Sequence, residues 1–468
     1  MSSSSLLGSL LSSSSSGVDI SSILQAAFGA SSSGIDVTSA VNAGVTAARA
    51  PENAWARQAS TLQNQISALT QIQNHVSSLE SDMESFNSIV GPLSAMTVTS
   101  SNSSEVTASA ALSSTAGNHV IVVNNLATTA SWTSATFANS TTALPAGSFS
   151  ITTGNGTSTN ITADGTQTLA DLVTQINGDN LGVTASIITD ATGARLALIA
   201  NSTGSASNFT VTSTGSTLGF TQAATGTNAS LTVDGIAVAS ASNTVSGAIP
   251  GVTLSLTSAN PGVQVNLSVA PDTQTIQSAL AQFVTDYNSV MSDLSSQFTF
   301  SGSSEGVLAT DSAVRELQNT VLSALNFTFT PATGTTTIPN LSALGISADH
   351  TGNLTLDASK LQSALTNNLS DVKNFLQGTS SNGFANSFDK QLTNFTSPGT
   401  GAFTVDLQNM NSQISDLQDN VNNFEANYIT PLKAQLQSSY SQAEIALQQL
   451  PVLMKQIQQE LGYNNSNG

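Results

Sequence analysis

Apolar residues recur at coiled-coil spacing near both ends of this 468-residue chain and lose that spacing in its middle. Leu62, Ile66, Leu69, Ile72, Val76, Leu79, Met83, Phe86 and Val90 follow one another by 4, 3, 3, 4, 3, 4, 3 and 4 residues. A second series runs Ile276, Leu280, Phe283, Tyr287, Val290, Leu294, and a third runs Leu407, Met410, Ile414, Leu417, Val421, Phe424, Tyr428. Alternating steps of three and four place one apolar seam along each helix. Three seams of one period, separated by unrelated sequence, predict an antiparallel, coiled-coil-like bundle formed by the N- and C-terminal regions. Each large apolar side chain buried there contributes roughly 1.5–3 kcal/mol. That gain outweighs the modest helix propensity of the many Ser and Asn residues.

The stretch between the first two seams has a different grammar. Val120–Val123, Phe149–Thr152, Val183–Ile188, Arg195–Ala200, Phe209–Thr212, Leu231–Val233, Val252–Leu256 and Val263–Leu267 read as strands. Gly154-Asn155-Gly156, Asp164-Gly165, Asp190 to Gly193 and Asp234-Gly235 supply residues that tolerate positive φ at turns. One helix is expected over Leu169–Ile176. The fold class is therefore α+β and multidomain, with β-rich head subdomains inserted between the arms of a helical bundle. The expected division is 51–95 and 273–429 for the bundle leg with a small mixed insertion, 96–130 and 225–272 for a first β domain, and 131–224 for a second inserted in it. Residues 1–50 and 430–468 form terminal segments expected to stay partly disordered until assembled, with Pro431 and Pro451 breaking or kinking the last helical pattern.

Charge excludes several functions. Only 8% of residues are charged, against roughly 25% in an ordinary globular protein. With 28 acidic and 9 basic residues the formal net charge is −19, and no basic cluster offers a nucleic-acid or anionic-membrane surface. There is no cysteine, so disulfides, thiolate metal sites and a cysteine nucleophile are excluded. No apolar run is long enough to span a membrane. The Ser-rich start lacks the charged and apolar regions of a cleaved signal peptide. Composition fits cytoplasmic residence, or export of an unfolded chain by a machine reading an uncleaved N-terminus.

Enzymatic signatures are missing. The three histidines, His75, His119 and His350, are too scattered for a zinc motif. No Gly-x-Ser-x-Gly elbow or phosphate loop occurs, and Asp171, Asp179, Asp190 and Asp234 read as caps and turns. No catalytic, cofactor-binding or metal-ligating residue is assigned, and no cofactor is expected.

Several short motifs occur in an order that resembles a known family. They are Gly34-Ile-Asp-Val-Thr-Ser, Ala47-Ala-Arg-Ala-Pro51, Val106-Thr-Ala-Ser-Ala110, Val122-Val-Asn-Asn-Leu-Ala127, Gly182-Val-Thr-Ala-Ser186, Gly193-Ala-Arg-Leu196, Gly251-Val-Thr-Leu254, Leu344-Gly345-Ile346, Gly352-Asn-Leu-Thr-Leu-Asp357 and Val372-Lys-Asn-Phe-Leu376. Together they resemble the bacterial flagellar filament cap, the hook-associated protein 2 family. The Ser-rich start departs from that pattern, with Gly17-Val-Asp-Ile20 looking like a duplicate of Gly34-Ile-Asp-Val37. The resemblance implies a secreted, non-enzymatic motility protein that caps the distal tip of the extracellular filament as a ring homo-oligomer and helps exported flagellin fold and insert. It implies flagellin and hook-associated proteins as partners at the filament end. It also implies passage through the flagellar type III export apparatus with an export chaperone, which accounts for the missing cysteines better than cytoplasmic residence does. The alternative is a surface adhesin or another axial component, flagellin-like or at the hook–filament junction. Under the capping reading, Leu62, Ile66, Leu69, Ile72, Val76, Leu79, Met83, Phe86, Leu280, Phe283, Tyr287, Leu294, Ile414, Leu417, Val421 and Phe424 hold the leg. Ile20, Ile23, Leu24, Val37, Val41, Leu436, Ile445, Leu453, Ile457 and Leu461 are then expected to contact the filament.

Overall fold

The computed structural model describes residues 36–112, 114–214, 218–298 and 306–460. Two helices open it, α1 (Val37–Ala48) and α2 (Ala50–Asn87). Asp36 caps α1 by accepting the Ser39 backbone N–H. Pro51 sits in the first turn of α2, where its missing N–H costs nothing, and Glu52 faces the positive helix end.

Fifteen strands and one helix follow. They are β1 (Met96–Ser100), β2 (Val106–Ala110), β3 (Gly117–Asn125), β4 (Ser131–Thr133), β5 (Gly147–Thr153), β6 (Ser158–Ala163), α3 (Leu169–Gly178), β7 (Val183–Asp190), β8 (Gly193–Ala200), β9 (Phe209–Thr214), β10 (Thr221–Ala224), β11 (Ala229–Val233), β12 (Ile236–Ser240), β13 (Thr244–Ile249), β14 (Val252–Leu256) and β15 (Val265–Pro271). A five-stranded sheet ordered β1-β15-β3-β11-β12 and a three-stranded sheet ordered β13-β14-β2 share one core that includes Val106, Ile121, Val123, Leu231, Leu254 and Leu267. Between β3 and β11 the chain leaves this unit to build a second. There a four-stranded sheet, β10-β4-β8-β7, and a three-stranded sheet, β6-β5-β9, enclose Phe149, Ile161, Leu196, Leu198 and Phe209 together with Leu169, Leu172 and Ile176 of α3. Thr168 and Asp171 start α3 with a reciprocal capping box.

The chain then returns to helices: α4 (Thr273–Phe298), α5 (Ser312–Ala324), the hairpin β16 (Ile346–Ala348) and β17 (Leu354–Leu356), α6 (Ala358–Asn367), α7 (Leu369–Gln377), α8 (Phe384–Thr396), α9 (Ala402–Phe424) and α10 (Thr430–Glu460). One large core joins α2, α4, α8 and α9 and extends over α5, α6 and α7. Asp272, just before α4, donates its N–H to the Ala95 carbonyl beyond the end of α2, whereas Gln71 and His75 of α2 reach Asp293 near the far end of α4. Those two helices therefore run antiparallel. Trp55 near the start of α2 meets Phe424 at the end of α9, while Glu80 near the end of α2 holds α8 just ahead of α9. So α9 is antiparallel to α2 as well.

Two sequence expectations need correction. Val90 does not extend the first seam: α2 stops at Asn87 and Val90 is 72% exposed. Ser88 turns extended, and Gly91 comes so close to the Ser85 carbonyl that a Cβ there would lie 1.9 Å from its oxygen. Nor do the prolines break the last helix. Residues Glu425–Ile429 form one π turn that joins α9 to α10. The wider turn gives the Pro431 ring room where an α turn would set it against the carbonyl four residues back. Pro451 lies inside α10 and is exposed, so the carbonyl it leaves unpaired can be met by water. The segment Thr430–Glu460 is one helix.

Candidate assembly surfaces

The leg seam is a buried core over most of its length. Leu62, Leu69, Ile72, Val76, Leu79, Met83, Phe86, Leu280, Phe283, Tyr287, Leu294 and Leu417 are buried in one cluster, with Ile66 and Ile414 half-buried against it. Val421 is half-buried outside that cluster, and Phe424 turns to Trp55 at 5.6 Å and Tyr428 at 4.9 Å.

Polar groups fix the register of this core. His75 Nδ1 lies 2.6 Å from Asp293 Oδ2, and Gln71 donates to Oδ1 of the same carboxylate at 2.9 Å. Thr393 and Thr396 each donate a hydroxyl to one oxygen of Glu80, at 2.7 and 2.6 Å, clamping α8 to α2. Asp82 is a different case. Its Oδ2 is buried and meets no hydrogen-bond partner. Burial, followed by the neighbouring Asp286 carboxylate of α4, pushes the Asp82 carboxyl up to about 7. Burial, with Glu80 and Glu84 nearby, likewise raises Asp389 on α8.

At the far end of the leg, α1 lies on α10. Val41 is 2% exposed and joins Val45 and Ile429 in a small core flanked by Val37, Leu436 and Tyr440. Gly44 lets this contact close, since a Cβ there would stand 2.9 Å from Leu436 Cδ1. Arg49 pairs with Glu52 at 2.5 Å and with Glu425, tying the α1–α2 corner to the π turn. Of the residues expected to contact a filament, Val37, Val41 and Leu436 are thus engaged within the chain. Ile20, Ile23, Leu24 and Leu461 lie outside the described residues. Ile445, Leu453 and Ile457 are exposed, and Leu447, Leu450, Val452 and Met454 are exposed beside them. Leu447, Leu450, Met454 and Ile457 continue the three–four spacing and are exposed among the described residues.

Sequence reading missed α8 and the Asp82–Asp286 pair. Phe384 of α8 centres an aromatic group, with Phe375, Phe327, Phe283 and Phe388 at 5.6, 5.7, 5.8 and 5.7 Å. The apolar residues of α8, Phe384, Phe388, Leu392 and Phe395, keep helical spacing within a helix of only thirteen residues. The acid pair joins positions about two hundred residues apart, which no local pattern reveals. Among the described residues, no three His, Asp or Glu side chains gather as metal ligands, and no helix is long and apolar enough to cross a membrane.

A leg built from both arms of the chain, β domains nested one within the other and an exposed apolar helix face define a component of a larger protein assembly. Comparison with known families narrows this class. Models for the flagellar hook-associated protein 2 N-terminus and C-terminus match residues 33–130 and 226–451, and the flagellin hook IN motif matches residues 148–202. The chain belongs to the flagellar hook-associated protein 2 family. The crystal structure of the D1-D2-D3 domains of the Escherichia coli flagellar cap protein FliD is similar, at 26% identity over 74% of this chain and 99% of that one, with a TM-score of 0.58. FliD (HAP2) from Pseudomonas aeruginosa PAO1 is 27% identical over 43% of this chain and 99% of its own, with a TM-score of 0.36. No curated protein sequence matches the chain.

Proposed function

We propose that this protein caps the distal end of the bacterial flagellar filament as a ring of identical copies, without enzymatic activity, and promotes the folding and incorporation of exported flagellin. Family membership carries the capping role. The exposed apolar face of α10 supports the more detailed reading that the leg seats on the filament end. Ile445 and Val452 are 55% and 65% exposed, and a helix face of that kind gains stability only when a partner covers it. Flagellin and the hook-associated proteins are the partners this reading names, and export through the flagellar type III apparatus with a chaperone is its route. Residues 51–95 and 273–429 then serve as the leg, and 96–272 as the plate of the ring.

Deleting residues 430–468 tests the assignment. The truncated protein should keep a folded β head and be secreted, yet fail to support filament growth, with flagellin released into the medium. Normal filaments and motility from that truncation would refute it. An Ile445→Asp, Leu453→Asp, Ile457→Asp variant should show the same loss with α10 retained.

A further inference from the structure

The β12 edge of the five-stranded sheet is regular, uncharged and open. Asp234 and Gly235, at φ 53° and 83°, form a two-residue hairpin turn that closes on the pair Val233–Ile236. Asp234 is anchored in turn: its Oδ2 meets His119 Nδ1 at 2.8 Å, and its Oδ1 accepts the Val120 N–H at 2.8 Å. The pairing of β11 with β12 proceeds without a bulge to Ala229–Ser240. Hydrogen-bonded pairs alternate along an antiparallel ladder. Ile236, Val238 and Ser240 therefore spend their backbone groups on β11, and Ala237 and Ala239 point theirs away from it. Among the described residues nothing bonds those four groups. The open stretch ends at Ala241, whose carbonyl accepts the Thr203 hydroxyl at 2.6 Å.

Soluble proteins usually guard such an edge with charge, proline or a bulge. None guards this one, since no Asp, Glu, Lys or Arg occurs between Asp234 and Asp272. The sheet's other edge strand, β1, instead lies beside β2. Ile236, on the inward-facing side of β12 with half-buried Val238, is 71% exposed beyond the core.

We propose that β12 adds to the β12 of a second copy of this chain, antiparallel and about a two-fold axis at Val238. The pattern of open groups selects this occupant. In that register Ala237 faces Ala239 of the second copy and each pair exchanges two hydrogen bonds, so all four open groups on each copy are met and none is left over. The alanine side chains are small enough for the strands to close, and Ile236 comes beside the second copy's Ser240 on the core face. The segment carries no charge to repel its counterpart, although the whole chain has a net charge of −19. This contact is two-fold, is separate from any cyclic contact of a ring and does not rest on the capping reading.

Sedimentation velocity of the full chain over a range of concentrations tests it. The wild type should shift from monomer to dimer as concentration rises. Ala237→Pro removes only an outward N–H, which a sheet edge tolerates. It should keep the circular dichroism and melting temperature while weakening dimerisation by at least about tenfold, because two of four hydrogen bonds are lost. Val238→Cys provides a gain-of-signal test in a chain with no cysteine. The two-fold places these residues in a non-hydrogen-bonded pair with Cα atoms about 4.5 Å apart, within disulfide reach. Mild oxidation should cross-link that variant, and should not cross-link a Leu112→Cys control on the exposed surface. A wild type that stays monomeric to several hundred micromolar would overturn the proposal. So would dimerisation unaffected by Ala237→Pro, or cross-linking of Val238→Cys no greater than the control.

Discussion

Replacing Asp82 with Asn should stabilise the leg at neutral and alkaline pH and have little effect in acid. Asp82 stands on α2 against Asp286 of α4, with one carboxylate oxygen buried and without a donor. Burial and Asp286 raise its carboxyl from 3.8 to about 7 in the folded protein. A raised carboxyl binds its proton more tightly folded than unfolded, so stability falls as pH rises from about 4 to about 7 and stays low above that. A shift of about three units converts to roughly 4 kcal/mol, but Asp82 is only half-buried and solvent screens part of this, which leaves about 1–2 kcal/mol. Asparagine keeps the shape of the protonated acid and can donate to Asp286. Urea unfolding of wild type and Asp82→Asn from pH 4 to pH 8, followed by far-ultraviolet circular dichroism, reads the difference. The variant should be more stable by about 1–2 kcal/mol at pH 8, with the gap closing toward pH 4. A gap independent of pH, or a wild type that gains on the variant as pH rises, would refute the raised Asp82 carboxyl.

Two further substitutions probe the same leg. Phe384→Ala opens a cavity among four aromatic rings and should cost about 3–5 kcal/mol in denaturant unfolding, with the β domains still folded by near-ultraviolet circular dichroism. Glu80→Ala removes the acceptor of both the Thr393 and Thr396 hydroxyls and should cost about 1–3 kcal/mol, detected as faster amide exchange across residues 384–396.

The parts of this fold that were legible in the sequence are those carried by local periodicity. The steps from Leu62 to Phe86 and from Ile276 to Leu294 mark helices because one face must be buried, and those residues do meet in one core. Asp234-Gly235 announced a hairpin by turn chemistry and the apolar spacing of Leu169–Ile176 announced a helix, and both occur. The signal failed where a decision depends on distant partners. Ile236–Ser240 and Thr244–Ile249 are too small and polar to read as strands, and their pairing supplies what their composition lacks. Phe384, Phe388, Leu392 and Phe395 step by 4, 4 and 3 over a single short helix, and they are buried against the surface that α2 and α4 provide. Pro451 reads as a breaker in any local scheme, yet on an exposed helix face water can accept the lost bond. The exposed face of α10 was visible as apolar spacing, but only the structure separates Leu436, held under α1, from Ile445 and Ile457, which are exposed among the described residues.

Hydrogen–deuterium exchange across residues 441–460, compared between the free protein and the protein bound to purified filaments, tests the central claim most directly. If the filament end completes the leg, amides on α10 should exchange at least about tenfold more slowly when bound, because covering the apolar face suppresses local opening. Equal exchange in the two states, on filaments that have demonstrably taken up the protein, would contradict the claim that this helix is the part of the leg the filament receives.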